Sequence, residues 1–279
     1  MLEIPDANRL AKELNETIKD KRINQVIAGK TPHGFAFFSN DLQDYPKYLY
    51  GKICGEAKAV GGGLELTIED YMLYFNDGTN LRYYDTNEIK PDKHQFYLGF
   101  FDDSALVITV QMYAGIAIFK PGEYDNPYYL GGKEKPTPLS DEFTFEYFRN
   151  IVDDALQNKP SLSLKGLLAT EQRIPGLGNG TCQDILFEAK QHPKTKLSKL
   201  SDKEIENLYK TVVKVIKAMT EQGGRYTEKN LFGNECGYKT ILSNKTYKDP
   251  CKVCKGKIIR QAFLGGNIYF CSNCQVEKK

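Results

Sequence analysis

The chain has no apolar run that approaches the roughly 20 residues needed to span a bilayer, and its mean hydropathy is -0.49. A membrane protein is therefore excluded. The first residues also lack the basic, then apolar, then small-residue order of a secretory signal. We therefore expect a cytoplasmic protein, whose seven cysteines are reduced or metal-bound rather than paired in disulfides.

What the chain contains is typical of a globular protein of about two domains. It has 279 residues, of which 41% are hydrophobic and 27% are charged. The net charge of +2 is unevenly distributed: residues 223–279 hold 11 Lys and Arg against 4 Asp and Glu, whereas the remainder holds 27 against 32. A basic carboxy-terminal part indicates a polyanionic partner, although a solvated lysine-rich face is the commoner cause of such a bias.

The hydrophobic periodicity changes twice along the chain. Helical spacing over residues 7–19 is followed by six short aromatic and β-branched runs, the last over residues 105–113. These runs predict an antiparallel sandwich or barrel after one helix. Residues 131–138 are predicted to be a linker. Beyond it the spacing is again helical up to residue 223, and Ser201 with Glu204 predicts a capping box for the last helix.

The strongest motif is a pair of CxxC sequences near the carboxy terminus. Cys251 and Cys254 form the first pair, and Cys271 and Cys274 form the second, with sixteen residues between the pairs. That spacing matches a tetrahedral four-cysteine zinc site, whereas a thioredoxin-like redox CxxC would need a βαβ context that is absent. A β-hairpin is predicted between the pairs. Because four protein ligands leave no open position, we predict one structural Zn²⁺ that holds this segment together.

Three glycines within five positions, Gly176, Gly178 and Gly180, lie between two predicted helices. Such a density lets the backbone approach a ligand closely, and successive N–H groups ahead of a helix bind anions. Asn179 is placed to cap the second helix or to donate to a phosphate. A plain helix–helix turn is the alternative interpretation.

The sequence resembles the bacterial formamidopyrimidine-DNA glycosylase and endonuclease VIII family of base-excision repair enzymes over essentially its whole length. Met1 to Asp6 is similar to the family's amino-terminal signature, residues 138–144 to the entry into its helical domain, and residues 167–193 to its helix-two-turn-helix segment. The four-cysteine hairpin resembles its zinc finger. We therefore predict an α+β fold: an amino-terminal helix plus an antiparallel β-sandwich, then a helical helix-two-turn-helix domain with a carboxy-terminal four-cysteine zinc-finger hairpin.

The resemblance also sets the expected domains and partners. We predict an amino-terminal β-sandwich catalytic domain over residues 1–132, a DNA-binding helical domain over residues 138–223, and a loop with the zinc-finger hairpin over residues 224–279. The expected partner is double-stranded DNA with a damaged base. The protein is expected to be a nucleoid-associated monomer with no membrane contact.

Family members flip a damaged nucleotide out of the duplex and cut its glycosidic bond, commonly through a Schiff base formed by an amino-terminal proline exposed after Met removal. Here Leu2 stands in place of that proline. Because Met removal generally requires a small second residue, Met1 is expected to stay and to move the terminal amine. Glu3 matches the catalytic glutamate, with a solvated surface carboxylate as the alternative. Asp6 replaces a second glutamate, and Lys58 matches the family's phosphate-binding lysine.

The resemblance assigns the DNA-binding positions as well. Gly178 and Asn179 belong to the phosphate-binding turn. The fingertip position that usually carries a phosphate-gripping arginine is Gly266, beside Asn267, and Arg260 on the preceding strand is the candidate substitute. The positive charge at the fingertip is therefore expected to come from another residue, for which Arg260 is the candidate.

Two further loops are assigned in the same way. The intrusion loop that fills the gap in the duplex falls on Met112 and Tyr113, either of which is placed to wedge between bases. A position in the core of a β-strand is the alternative interpretation. The lesion is normally recognised by a pocket and a loop within residues 225–247, where Tyr226, Phe232 and Tyr238 either contact the base or pack.

We predict a DNA glycosylase that acts hydrolytically, with Glu3 activating water or stabilising the oxocarbenium ion and with no lyase step. A variant of this hypothesis keeps lyase activity through another amine, that of Met1 or Lys58. Two alternatives remain. One is a non-catalytic protein that binds damaged or abasic DNA. The other is a zinc-ribbon interaction protein without DNA, which leaves the glycine-rich turn unexplained.

Overall fold

The computed structural model describes residues 1–278, which divide into two compact units. The first unit comprises Met1–Lys133 and the separate segment Glu228–Cys236. The second comprises Glu134–Thr227 together with the described residues from Gly237 onward. No helix in the described part of the chain combines the length and the apolar character needed to cross a bilayer.

The first unit begins with helix α1 (Ile4–Thr17), whose apolar face is buried. Glu3 is the residue that caps the helix. Its side chain accepts a backbone hydrogen bond from the first turn, and the carboxylate of Asp6 accepts the Glu3 N–H at 3.1 Å. Pro5 suits the first turn because its missing N–H has no intrahelical partner there. The helix therefore begins three residues before the start that the hydrophobic spacing predicts.

Nine strands follow in the described part of this unit, with one short helix among them. They are β1 (Ile23–Ala28), β2 (Ala36–Phe38), helix α2 (Tyr45–Leu49), β3 (Cys54–Val60), β4 (Gly63–Ile68), β5 (Tyr71–Phe75), β6 (Thr79–Tyr84), β7 (Phe96–Phe100), β8 (Ala105–Val110) and β9 (Ala114–Phe119). One sheet has the order β1-β7-β8-β6 and the other the order β2-β9-β5-β4-β3. Neighbouring strands are antiparallel except β2 and β9, which run parallel.

The prediction of one strand over residues 105–113 is wrong. Strand β8 ends at Val110, residues 111–113 form a turn, and β9 begins at Ala114. Gly78 makes room for this turn, since a Cβ atom at that position would lie 2.2 Å from the carbonyl oxygen of Met112. A contact between residues so far apart in the chain leaves no trace in local periodicity.

One hydrophobic core joins α1 to the strands of both sheets, with fully buried rings such as Phe75 and Phe96. Full burial of a large apolar side chain stabilises a fold by about 1.5–3 kcal/mol. Leu231, from the distant segment Glu228–Cys236, is also fully buried in this core, and its carbonyl accepts the N–H of Tyr83 at 2.9 Å. These contacts hold that segment in the first unit.

Helix α3 (Pro127–Glu134) occupies half of the predicted linker, so that prediction is wrong as well. Polar contacts hold the helix in place. The hydroxyl of Tyr129 donates to the buried carboxylate of Glu65, and Lys133 pairs with the same carboxylate at 3.0 Å. The partners are more than 60 residues apart, so a short Gly- and Lys-rich stretch gave no sign of them.

The second unit is helical, with one hairpin. Its described elements are α4 (Phe145–Asn158), a single π-helical turn (Gly166–Thr170), α5 (Asn179–Glu188), a 3₁₀ turn (Leu197–Lys199), α6 (Asp202–Glu221) and the strands β10 (Ile258–Phe263) and β11 (Gly266–Cys271). The capping box of Ser201 and Glu204 is confirmed. So is the hairpin, which closes through Leu264 and Gly265, both with positive φ as a two-residue hairpin turn of this kind requires.

A buried carboxylate connects α5 to the chain that precedes the hairpin. Asp184 is fully buried and accepts the N–H groups of Ile241 at 2.8 Å and Leu242 at 2.9 Å. Burial raises the pKa of Asp184 to about 6, although these hydrogen bonds and one from the Tyr238 hydroxyl oppose the rise. Asp184 therefore fixes the path of the chain between α6 and the hairpin.

Candidate functional site

The four cysteines of the two CxxC pairs converge on one point. Their sulfur atoms all lie within 4.8 Å of one another, with 3.9 Å between Cys251 and Cys274 and 3.4 Å between Cys254 and Cys271. Tetrahedral thiolates at about 2.3 Å from a metal ion lie about 3.8 Å apart. The donor set therefore fits one tetrahedral metal ion with four protein ligands.

Backbone and side-chain hydrogen bonds support this cluster. The N–H of Gly256 donates to Cys254 Sγ and the N–H of Cys274 to Cys271 Sγ, each at 3.4 Å. Gln275 accepts the N–H of Cys271 at 2.9 Å and donates to the carbonyl of Gln191 at 2.9 Å. Such outer contacts orient metal ligands. Gln275 is a residue that the sequence analysis missed, because nothing in a CxxC motif identifies its supporting partners.

The glycine-rich turn and the fingertip lie side by side in the second unit. Asn179 Nδ2 donates to the carbonyl of Asn267 at 2.9 Å, and Gln183 Nε2 donates to the same oxygen at 3.0 Å. Gln183 also accepts the N–H of Tyr269 at 3.0 Å. The start of α5 is thus bound to β11 by side-chain amides. The two elements that the sequence analysis assigns to phosphate binding are brought together.

Asn179 does not cap α5, which corrects one of its two predicted roles. Gly178 occupies the capping position with an extended backbone, and Asn179 is the first residue of the helix. Its amide therefore points across to Asn267. The amino terminus of a ten-residue helix carries partial positive charge, and this end of α5 faces the fingertip.

Lys165 lies under the fingertip and was missed by the sequence analysis. It is buried, and its Nζ donates to the carbonyl oxygens of Phe263 and, at 3.3 Å, Leu264. Burial lowers the pKa of Lys165. A Cβ atom on Gly266 would lie 3.6 Å from this Nζ. In the sequence, the sign of an unusual role was that Lys165 is a single charged residue within the largely apolar residues 162–168.

Arg260, on strand β10 of the hairpin, is exposed. Its Nε donates to Asn267 Oδ1 at 3.3 Å, and its guanidinium lies over the ring of Tyr247, 5.6 Å from the ring centre. Within residues 1–278 it has no ion pair with a carboxylate. The fingertip thus keeps a solvent-accessible cation with a defined direction, although Gly266 itself carries none.

The predicted catalytic residues lie at the amino-terminal end of α1 in the first unit. Glu3 and Leu2 are buried, and Met1 is half exposed. The N–H of Leu2 donates to the carbonyl of Asp77 at 2.8 Å, and the amine of Met1 lies 3.7 Å from a carboxylate oxygen of Glu228. The solvated-carboxylate interpretation of Glu3 is therefore wrong, because contacts with the rest of the first unit enclose it.

Asp77 is a further carboxylate near the start of α1 in the first unit. The sequence analysis missed it because Asp77 and Gly78 look like an ordinary turn. Burial raises the pKa of Asp77, the charge of Glu3 raises it further, and the amine of Met1 lowers it. An acidic pair therefore lies beside the terminal amine. Asp6 is completely buried, where it holds Glu3 through the helix cap.

Lys58 lies elsewhere on the first unit. It is exposed on β3, where it pairs with Glu56 at 3.1 Å, and it lines a shallow groove with α1 residues that include Asn8 and Asn15. Asn15 closes that groove by bonding both backbone groups of Ala57, at 2.8 and 2.9 Å. The predicted phosphate contact of Lys58 stays a prediction.

Met112 and Tyr113 occupy the exposed turn between β8 and β9, with 50% and 60% of their surface accessible. The strand-core interpretation of these two residues is therefore wrong. Phe232 is exposed beside Tyr83 in the first unit, with ring centres 6.2 Å apart. Tyr238 belongs to the second unit, where its hydroxyl bonds Asp184. Of the three aromatic residues considered for lesion recognition, Phe232 is thus in the first unit, whereas Tyr226 and Tyr238 are in the second.

Comparison with known proteins agrees with this geometry. Residues 135–230 match the family model described as the formamidopyrimidine-DNA glycosylase H2TH domain. A formamidopyrimidine-DNA glycosylase from Listeria monocytogenes is 28% identical to the chain, in an alignment that covers 99% of this chain and 100% of the relative. One from Bacillus licheniformis is 25% identical, and the alignment covers 99% of each.

Solved structures show the same fold. Fpg from Lactococcus lactis, in complex with DNA that contains an abasic site, superposes with a TM-score of 0.82 at 22% identity, covering 99% of this chain and 100% of that one. MutM (Fpg) from Thermus thermophilus gives 0.81 at 21% identity with the same coverage. The α+β fold expected from the sequence, with its helix-two-turn-helix domain, is therefore confirmed.

Proposed function

We propose that this chain, which belongs to the formamidopyrimidine-DNA glycosylase and endonuclease VIII family, is a DNA glycosylase of base-excision repair. It binds duplex DNA at a damaged base and releases that base by breaking the N-glycosidic bond. The observation that carries the proposal is the junction of the glycine-rich turn with the fingertip through Asn267. Two backbone-gripping elements are there held as one surface, on the hairpin whose other end carries the four cysteines.

The four cysteines hold one structural Zn²⁺. Zinc with four protein ligands has no open position, so when bound it supplies folding free energy to the hairpin and no chemistry at the sugar. Every other part of the interface depends on the chain's own side chains.

The DNA backbone binds across the start of α5 and the fingertip. Asn179 and the N–H groups near Gly178 donate to phosphate oxygens, Arg260 supplies the cation, and Gly266 and Asn267 let the backbone approach closely. Contacts of this kind position a duplex without reading its sequence. Met112 and Tyr113 insert between the stacked bases of the duplex and fill the gap that the flipped base leaves.

Base release then uses the carboxylate of Glu3. The flipped sugar develops positive charge at C1′ as the bond to the base lengthens, and the carboxylate stabilises that charge. A water molecule adds its oxygen to C1′ and gives its proton to Glu3, while the base leaves with the bonding electrons and takes up a proton. The products are the free base and an abasic site. Asp6 keeps Glu3 in position through the helix cap.

A hydrolytic route suits the amines better than a Schiff base does. The amine of Met1 is near Glu228, and Lys58 pairs with Glu56. An amine that pairs with a carboxylate must leave that partner before it can attack C1′. A lyase step through one of these amines is the second candidate, because both are near enough to solvent to be released from their partners.

Borohydride trapping on a panel of damaged duplexes tests the proposal. We expect free base without a covalent protein–DNA adduct. An adduct would establish the lyase variant, and retarded gel mobility with neither product would establish a non-catalytic binder. If no duplex is bound or cut, the proposal is wrong.

Glu3→Gln tests the assigned acid. Loss of general-base or charge stabilisation typically slows such a step by about 10²–10⁴-fold, so base release should fall by at least that lower factor. Affinity for an abasic duplex should stay within about 3-fold, since Glu3 does not grip the backbone. Glu16→Gln, on the exposed side of the same helix, is the matched control. Equal rates for the two variants would remove Glu3 from the mechanism.

A further inference from the structure

Four large apolar side chains are exposed at one edge of the first unit. Phe35 and Phe37 are 45% and 57% accessible, and they neighbour the exposed turn that carries Met112 and Tyr113. Phe37 is on β2, and β2 pairs with β9 directly after that turn. Contiguous exposed apolar surface of this kind marks a site of interaction.

Phe35 is held against Tyr113 by the backbone. The two ring centres are 4.5 Å apart, with 46° between the ring planes. The N–H of Ala114 donates to the carbonyl of Phe35 at 2.8 Å, and the parallel register pairs Ala36 with Ala114. Phe35 and Tyr113 are therefore level with each other just before the starts of adjacent strands, so the backbone places the two rings within reach of each other.

The other side of the turn is fixed by the loop after β5. Asn76 Nδ2 donates to the carbonyl of Tyr113 at 3.4 Å, and Gly78 packs directly on the carbonyl of Met112. The same loop accepts the N–H of Leu2 through Asp77. One short loop thus sets the position of the two rings and of the chain next to Glu3.

The chemistry of this edge fits the face of a nucleobase. None of the four side chains carries a charge, so the edge has no ammonium or guanidinium group to bind a phosphate. Aromatic rings stack on bases strongly and with little regard to base identity, because every base has a π-face. Phe35 and Met112 have no hydrogen-bonding group that reads a base edge.

We infer that Phe35 and Tyr113 act as one two-ring wedge that stacks on the base left unpaired opposite the flipped nucleotide, and that binding tolerates any base in that position. This inference rests on the proposed function. It adds Phe35 to the wedge assigned above, and it predicts that the wedge accepts any opposing base. The second ring matters because it widens the stacking surface beyond what a single tyrosine at a turn presents.

Equilibrium binding to duplexes with a tetrahydrofuran abasic analogue tests the inference. The analogue is placed opposite A, C, G or T in turn. For the unaltered protein we expect dissociation constants that agree within about 3-fold across the four duplexes. Phe35→Ala and Tyr113→Ala should each weaken binding to all four by about 10-fold, and the double variant by less than the product of the two, because the rings act as a unit.

Phe101→Ala is the matched control, since it removes an equally large ring, 60% exposed, from the turn that follows β7 in the other sheet, and it should leave binding within about 2-fold. If Phe35→Ala unfolds, Phe35→Leu keeps the apolar volume without a ring face and should show the same loss. Failure of the unaltered protein to bind any duplex would overturn the proposed function and this inference with it. If the unaltered protein binds normally and the Phe35→Ala and Phe101→Ala variants bind equally well, the wedge alone would be overturned. A spread above about 10-fold among opposing bases would overturn the tolerance.

Discussion

The fingertip of the second unit and the amino-terminal end of α1 in the first unit hold their functional groups in different ways. At the fingertip, side-chain amides and Lys165 bond directly to backbone carbonyls of the hairpin, whose other end carries the cluster of four cysteines. At the end of α1, a helix cap and a backbone contact to Asp77 enclose Glu3. The first region depends on polar side chains and on a hairpin with four clustered cysteines, and the second on strand and helix geometry.

This difference indicates that binding and chemistry can be lost separately. Damage to the fingertip should remove the grip on DNA while the sandwich stays folded. Damage at Glu3 should stop base release while the grip remains. Three further predictions test or refine this contrast.

Loss of the metal should have the largest effect. Structural Zn²⁺ contributes about 10–16 kcal/mol to the folding of small finger peptides at neutral pH. Cys271→Ser should therefore abolish stoichiometric zinc, remove hydrogen-exchange protection from β10 and β11, and weaken duplex binding by on the order of 100-fold, since the fingertip contacts to phosphate are lost.

Cys236→Ser is the control for that variant. Cys236 is a buried thiol that donates to the carbonyl of Glu228 at 2.9 Å, and a serine hydroxyl can replace this bond. Its zinc content and affinity should match those of the unaltered protein. Exchange protection in α1 should be unchanged in both variants. Loss of protection in α1 of Cys271→Ser would show that the two regions are not independent.

Asp184 should make the stability of the second unit depend on pH. Its folded pKa of about 6 exceeds the ordinary value near 3.9, so its contribution is fully present below about pH 4 and is lost as the pH rises through 6. The difference of about two pKa units between the folded and the ordinary value corresponds to on the order of 3 kcal/mol. Asp184→Asn cannot ionise, so its free energy of unfolding should lack this component.

Denaturant unfolding at pH 4 and pH 7 measures the effect. Asp184→Asn is expected to be less stable than the unaltered protein at pH 4, because an amide group faces two backbone donors. The deficit should shrink towards pH 7. A deficit that is the same at both pH values would mean that Asp184 titrates as it does in water.

Arg260 should have the smallest of these effects. If it contacts a phosphate, Arg260→Gln should weaken binding about 5-fold on every sequence and reduce the slope of log affinity against log salt by about 1. Arg260→Lys keeps the charge and should keep the slope. Lys257→Gln, which removes a charge at the metal end of the hairpin, should leave the slope unchanged. Equal slopes for the two glutamine variants would argue against a specific role for Arg260.

Local patterns predicted the parts of the molecule that are built from neighbouring residues. The two CxxC pairs, the hairpin between them and the capping box of Ser201 all depend on residues a few positions apart, so each was readable. The strand over residues 105–113 and the linker over residues 131–138 were wrong. In both places a distant partner decides the structure, Gly78 in one case and Glu65 in the other.

The candidate site divides along the same line. The sequence located Glu3, Asn179 and the fingertip, but it missed Asp77 and Phe35. Asp77 comes from a hairpin-like turn and Phe35 from the approach to an edge strand. Their neighbours in space are respectively 75 and 78 positions away in the chain. Such pairings follow from sheet topology and cannot be inferred from spacing.

By itself, the sequence determined the clustering of the four cysteines and the class of fold, because those depend on short-range spacing and on residue chemistry. Only the tertiary structure decided that Asn179 bonds the fingertip instead of capping its helix, that Asp77 accompanies Glu3, and that Tyr113 has a second ring beside it. The physical reason is that burial, hydrogen-bond partners and ring contacts arise from segments that meet only after the chain has folded.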